Sequence, residues 1–283
     1  MPSTRLLPWI AVAAALSAAS GSPAPRPLAA QEAPDSTRPP AARHEPLFTR
    51  RDIYITLGAS AGTALVMQLD RPIANNLRSD RTQSAGLNDF ANAIKGFDEH
   101  RFLFTSAGMF VVGRVAGWRG LADAGLHATE ANAISTLVLV AVLRGVSGRS
   151  RPAYTNHQEP FDFKFARGWD EGPFRSFPSL HSTGAFSFAG AITAELRRHH
   201  SPATKYVAPL LFGTATMVGL GRMYQDQHWA SDVVSAAFVG TAVGMKTVKW
   251  HHSHEGNRYD RWILGAAPMP GDGRLGLVVG RRW

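Results

Sequence analysis

Six apolar stretches punctuate the chain: Ile53–Leu69, Phe102–Val112, Ala131–Leu143, Ser182–Ala194, Tyr206–Gly221 and Ala230–Met245. Each carries few or no charges inside, and their content of Ala, Gly, Ser and Thr predicts helices that pack closely on one another. The pattern therefore predicts an all-α fold, a six-helix bundle occupying residues 47–250. A helix that crosses a bilayer needs roughly 20 predominantly apolar residues, and most of these runs are shorter. Arg114, Glu130, Arg144 and Glu195 flank or interrupt them, and the mean hydropathy of −0.12 is low for six spans. A membrane-embedded bundle and a soluble or peripheral one both stay open on the pattern alone.

The two ends of the chain read differently from the middle. In residues 1–30, Arg5 precedes an apolar run from Leu6 to Ala19, followed by small residues and prolines. This is the layout of a secretory signal peptide, with a cut after Ala19 or after Ala30; a retained N-terminal anchor is the alternative. Export to a bacterial-type cell envelope is expected, either periplasmic or membrane-associated with a periplasm-facing site. Residues 31–46, rich in Pro, Ala and charge, predict a flexible linker. Residues 251–283 form a tail in which a Pro-Gly-Asp-Gly turn between two apolar runs predicts a small β-hairpin.

Composition narrows the partners. With 283 residues, 45% of them hydrophobic, the chain can fill a sizeable core. Its 30 Lys and Arg against 21 Asp and Glu give a formal charge of +9, which favours anions such as phosphates and acidic lipid headgroups. The basic residues form no run and no nucleic-acid module, so DNA and RNA are not expected partners. The absence of cysteine excludes disulfides, thiolate metal sites and thiol nucleophiles.

Three charged clusters at the ends of the apolar segments carry the candidate chemistry. Arg144 is followed by Arg149 and by Arg151-Pro152, and guanidinium forks suit phosphate oxygens, although cations at a helix C-terminus also simply complement its dipole. Next, Pro178, Ser179, Leu180 and His181 precede an apolar helix whose first-turn amides form an anion site, with the Ser179 hydroxyl as a further donor. Finally, Arg222, His228 and Asp232 follow one another at spacings of six and four. His228 and Asp232 share a helix face at that spacing, so the carboxylate can orient the imidazole.

Together these clusters resemble the type-2 phosphatidic acid phosphatase and vanadate haloperoxidase superfamily. Its pattern is Lys-x6-Arg-Pro, then Pro-Ser-Gly-His, then Ser-Arg-x5-His-x3-Asp. The chain departs from it at Arg144 for Lys, Leu180 for Gly and Gly221 for Ser, and the resemblance covers roughly Ile53 to Lys246. It implies a phosphohydrolase that acts on a phosphate monoester or pyrophosphate, with that of a lipid expected, without metal or other cofactor. Arg144, Arg151, Arg222, Ser179 and the amide of Leu180 would hold the phosphate, His228 would attack phosphorus, Asp232 would hold His228, and His181 would protonate the leaving oxygen. A phosphorylated lipid or small phosphate ester, and a membrane surface or bilayer, are the implied partners. A vanadate-dependent haloperoxidase and a non-catalytic anion- or lipid-binding envelope protein are the rival readings. The histidines at 199–200 and 251–254 read as polar helix ends with at most a weak adventitious metal site. Asp226 reads as a loop carboxylate facing water, and Trp229 as packing.

Overall fold

The structure, a computed structural model, describes residues 47–170 and 172–253 and the backbone of 266–269 and 276–279. The expected signal peptide and linker lie outside these residues. Among the described residues six long helices form the bundle. They are α1 (Arg50–Met67), α4 (Glu99–Ala116), a continuous helix made of α5 (Arg119–Asn132), a π-helical stretch (Ala133–Val140) and α6 (Ala141–Ser147), then α7 (Leu180–Arg198), α8 (Thr204–Tyr224) and α9 (Ala230–Ser253). Two short helices, α2 (Asp70–Arg78) and α3 (Ala85–Lys95), lie between α1 and α4. Near the C-terminus Ala266–Met269 pairs antiparallel with Gly276–Val279.

Local chemistry sets the helix ends. Thr49 and Asp52 close a capping box on α1. The side chains of Ser84 and Asp98 accept the first-turn amides of Leu87 and Arg101 at the starts of α3 and α4. Gly117 and Gly148, with φ of 73° and 52°, end α4 and α6 in the left-handed conformation that glycine adopts without strain.

α7 is the axis of the molecule. It is buried on nearly every face, from Ser182 to Leu196, and packs along α9, α8, α5 and α4. Its contact with α9 is backbone-close because Gly240 and Gly244 leave room. A Cβ on Gly240 would stand 2.4 Å from the Thr183 carbonyl oxygen, and one on Gly244 would stand 2.3 Å from that of Ser187. This is the small-xxx-small spacing of closely packed helices. Phe102, Leu121, Phe188, Ile192, Leu196, Val218 and Val248 fill the core around it.

The outward faces are apolar as well. Leu57 and Leu65 on α1, Phe104 and Val115 on α4, Val138 in the π stretch and Tyr206 on α8 are between 61% and 73% exposed. The stretch Arg119–Tyr154 is the one among the described residues long and apolar enough to cross a membrane, at a hydropathy of 1.5 in its best window.

Candidate active site

Arg149 is the residue around which the site is built. It is fully buried, and its guanidinium donates to Asp70 Oδ2 (2.7 Å), Asp232 Oδ1 (2.5 Å), Ser231 Oγ (2.7 Å) and the Pro160 carbonyl (2.6 Å from Nη2). Two buried carboxylates face one buried guanidinium, and Asp70 also accepts the Ser231 amide at 2.9 Å. Arg149 therefore serves as the tie that fixes the start of α9 to α2 and to the loop after α6, and its donors are spent on protein groups. That loop is further pinned by Arg167, which donates to the Gly148 carbonyl and ion-pairs with Asp162 at 2.9 Å.

This scaffold sets His228. The ring lies in the turn between α8 and α9 and is almost fully buried. Its Nδ1 is 2.8 Å from the Ser176 carbonyl oxygen. A carbonyl can only accept, so Nδ1 carries the proton and Nε2 presents its lone pair. Asp232 Oδ2 lies 3.7 Å from Nδ1 and instead accepts from Ser176 Oγ (2.6 Å) and the Trp229 amide (2.8 Å). The expected direct clasp of His228 by Asp232 thus takes an indirect form: the carboxylate holds Ser176, and the carbonyl of Ser176 holds the imidazole. The aspartate is committed to Arg149 at the helix start, which is why it stops short of the ring. Burial pushes His228 down to about 4, against the opposing pull of Asp232, so the imidazole is neutral at neutral pH.

Near His228 the structure gathers the expected cations, Arg144 and Arg151 close enough to act on its charge. Arg144 uses Nε to donate to the Arg175 carbonyl at 2.7 Å, Arg151 reaches Gln227 through Nη1, and Arg222 Nη1 donates to Gln225 Oε1 at 3.0 Å. None of the three has an ion-pair partner among the described residues. They are close enough for their charges to act on one another, Arg144 with Arg151 and Arg151 with Arg222, while His181 feels Arg222 and His228. Glu99 and Asp232 offset part of this charge at a distance, and three guanidiniums in mutual reach without an ion pair of their own among the described residues suit a multiply charged anion. The first turn of α7, which begins at Leu180, carries His181 to within electrostatic reach of Arg222 and His228, and such a turn offers free amides to an anion.

Ser179 contributes less directly than expected. Its amide donates to the Asp232 carbonyl at 3.2 Å and its hydroxyl shares a 2.9 Å hydrogen bond with Ser182, so it builds the floor of the site. Leu180 and His181 are partly exposed above it. The departure at 221 has a physical reason: a Cβ there would stand 3.0 Å from Ile94 Cγ2, so α3 presses where a serine would otherwise sit.

Three partners lay beyond sequence reasoning. Glu99, in the first turn of α4, places Oε2 at 3.2 Å from His181 Nδ1. Its signal in sequence is only an acidic pair, Asp98-Glu99, ahead of an apolar run. Asp70 and Ser176 had none. Asp226 departs from its expected place in water: it is buried, pairing with Arg78 Nε at 2.6 Å and lying 3.2 Å from His157 Nε2. Trp229 is packing, 1% exposed, with its indole N–H donated to the Ser150 carbonyl at 2.8 Å.

A helical bundle that brings arginines and a helix start together beside two histidines is suited to phosphate chemistry. The PAP2 superfamily model matches residues 125–255, the stretch that holds all three clusters. Over that stretch the chain is similar to the PAP2 superfamily, and the match supports a phosphatase of that type. Among solved structures, a transmembrane PAP2-type phosphatidylglycerolphosphate phosphatase from Bacillus subtilis shares the fold, with a TM-score of 0.50 and 22% identity over 71% of this chain and 98% of its own. No curated protein matches the chain.

Proposed function

We propose that this phosphatase hydrolyses the phosphate monoester or pyrophosphate of a lipid through a phosphohistidine on His228, with no metal in the reaction. One observation carries the reading: a neutral imidazole, its Nδ1 proton anchored on a carbonyl, lies within electrostatic reach of Arg144 and Arg151, which like Arg222 have no ion-pair partner among the described residues. The arginines and the first-turn amides of α7 take the phosphate oxygens and stabilise charge on them in the transition state. His228 Nε2 attacks phosphorus as the P–O bond to the leaving group breaks, and protonated His181 gives that oxygen its proton; burial lowers His181 to about 4, while Glu99 3.2 Å from its Nδ1 and the charge of the bound phosphate favour the protonated form. His181 then accepts a proton from water, which attacks the phosphohistidine, returns neutral His228 and releases phosphate.

Two features favour a lipid over a soluble ester. The bundle's exterior carries large exposed apolar side chains on several helices. Between α1 and α9 runs an apolar groove of about 340 Å³, lined by Ile55, Ala59, Phe238 and Val239 and also by Phe177, the chain neighbour of Ser176 and Pro178. An acyl chain lying in that groove is the reading we give it. The fold shared with a transmembrane lipid phosphatase agrees with this placement in a bilayer.

The test is hydrolysis by purified protein in EDTA, well below its unfolding temperature, against phosphatidic acid, a polyprenyl pyrophosphate and a soluble aryl phosphate. Activity persists in the chelator, the lipids are preferred, and His228→Ala loses on the order of 10³-fold or more. Activity surviving that substitution overturns the mechanism. Preference for the aryl ester, by protein extracted without detergent, overturns the lipid substrate and the bilayer together.

A further inference from the structure

The end of α7 remote from the arginines gathers side chains that the phosphate chemistry does not use. Glu195 is fully buried one turn from the end of α7. Its charge is met by imidazoles: His127 Nδ1 from α5 contacts Oε1, His252 Nε2 from α9 lies 3.0 Å from Oε1 and 3.2 Å from Oε2, and His199 Nε2 lies 3.7 Å from Oε2. One potential ligand atom each from His127, Glu195 and His252 lies within 4.8 Å of the others. The His127 ring stacks on His251 at 4.3 Å between centroids, and His251 in turn contacts Glu130. Asp123, one turn before His127, faces the same group.

A buried carboxylate is costly unless a cation meets it. Imidazole does so only when protonated, which is not its ordinary state at neutral pH. A divalent transition metal meets both demands, because it neutralises the carboxylate and takes neutral imidazole as a ligand. Tetrahedral Zn²⁺ holds nitrogen and carboxylate oxygen at about 2.0–2.1 Å, so its ligand atoms stand roughly 3.3 Å apart. The His252–Glu195 separations of 3.0 and 3.2 Å already fit that spacing. Two imidazole nitrogens here have no hydrogen-bond partner among the described residues: His127 Nε2, on a ring 2% exposed, and His199 Nε2, which is turned toward Glu195.

We propose that His127, Glu195 and His252 bind one Zn²⁺-type ion, with His199 placed to complete the shell. The ion joins α5, α7 and α9, whose contributing residues are 68 and 57 positions apart in sequence. It is a structural clamp, remote from the reaction, and it stands whether or not the phosphatase mechanism above is correct.

The experiment uses the full-length chain without an affinity tag, stripped with chelator and titrated with Zn²⁺ and separately with Co²⁺. One Zn²⁺ per chain, a rise in Tm on binding and the visible absorption of four-coordinate Co²⁺ are expected. His252→Asn, at the half-buried edge of the cluster, weakens Zn²⁺ affinity more than about 10-fold and abolishes the Tm rise. Glu195→Gln does the same, while His200→Asn, on the exposed neighbour of His199, leaves both unchanged. The proposal is overturned if the wild type takes up no stoichiometric Zn²⁺. It is equally overturned if His252→Asn binds like the wild type, or if His200→Asn loses as much as His252→Asn, which would mark surface binding only.

Discussion

Arg149, Asp232 and Ser176 work as one unit, and none of the three needs to touch the substrate. Removing one partner of a buried ion pair leaves a charge without compensation, at a cost of about 3–5 kcal/mol. Arg149→Leu strands both Asp70 and Asp232, so thermal unfolding should show a loss of that size, larger than for Arg151→Leu, whose side chain has no carboxylate partner. The neutral state of His228 makes a second prediction. Protonation removes the Nε2 lone pair, so on the acid side kcat/KM should fall only as pH drops through about 4. A pH profile, corrected for titration of the substrate's own phosphate, should show no acid limb where a free imidazole titrates, and a fall with rising pH belongs to His181, which must hold a proton to serve the leaving oxygen. An acid limb near 6.5 would show His228 to be less shielded than its burial implies. The arginines, His181, His228 and Asp232 were legible in the sequence because each belongs to a short local pattern. Asp70 and Arg149 are 79 positions apart, and no pattern in one chain joins them. Arg149 read only as a third cation between Arg144 and Arg151, because sequence shows charge and not burial.

The six long helices follow the six apolar runs, and the differences arise where composition and burial diverge. α5 was largely missed: Asp123, His127, Thr129 and Glu130 make it read as polar, yet most of its residues are buried, since its polar side chains face other polar side chains inside the bundle. α2 and α3 are too short and too mixed to stand out as apolar runs, but they supply Asp70 and the Ile94 wall. The α7–α9 seam gives the prediction that belongs to elements. In Gly244→Leu the new Cβ meets backbone 2.3 Å away, so the two helices must part. Overpacking of this kind costs about 1–3 kcal/mol, and since α9 carries the turn that holds His228, activity should fall with stability. Gly58→Ala on α1, where a Cβ meets nothing within 4 Å, is the matched control and should leave the melting temperature unchanged or slightly raised.

The chain as a whole presents its apolar side chains both inside and outside, which mean hydropathy does not reveal because it averages the bundle with charged loops and ends. Expressed protein should stay with membranes through a high-pH carbonate wash and leave only with detergent. Release by the wash alone would mean that the outer faces meet protein or water instead of lipid. The position of α7 carries one more consequence. It runs from His181 at the arginine end to Glu195 at the histidine cluster, fourteen residues or about 21 Å of helix. That is short of the roughly 30 Å hydrocarbon core of a bilayer, so the two sites sit on one rod without marking its two opposite surfaces. Loss of the ion at one end would then be felt at the other through the helix itself, and metal starvation would weaken an enzyme whose chemistry uses no metal.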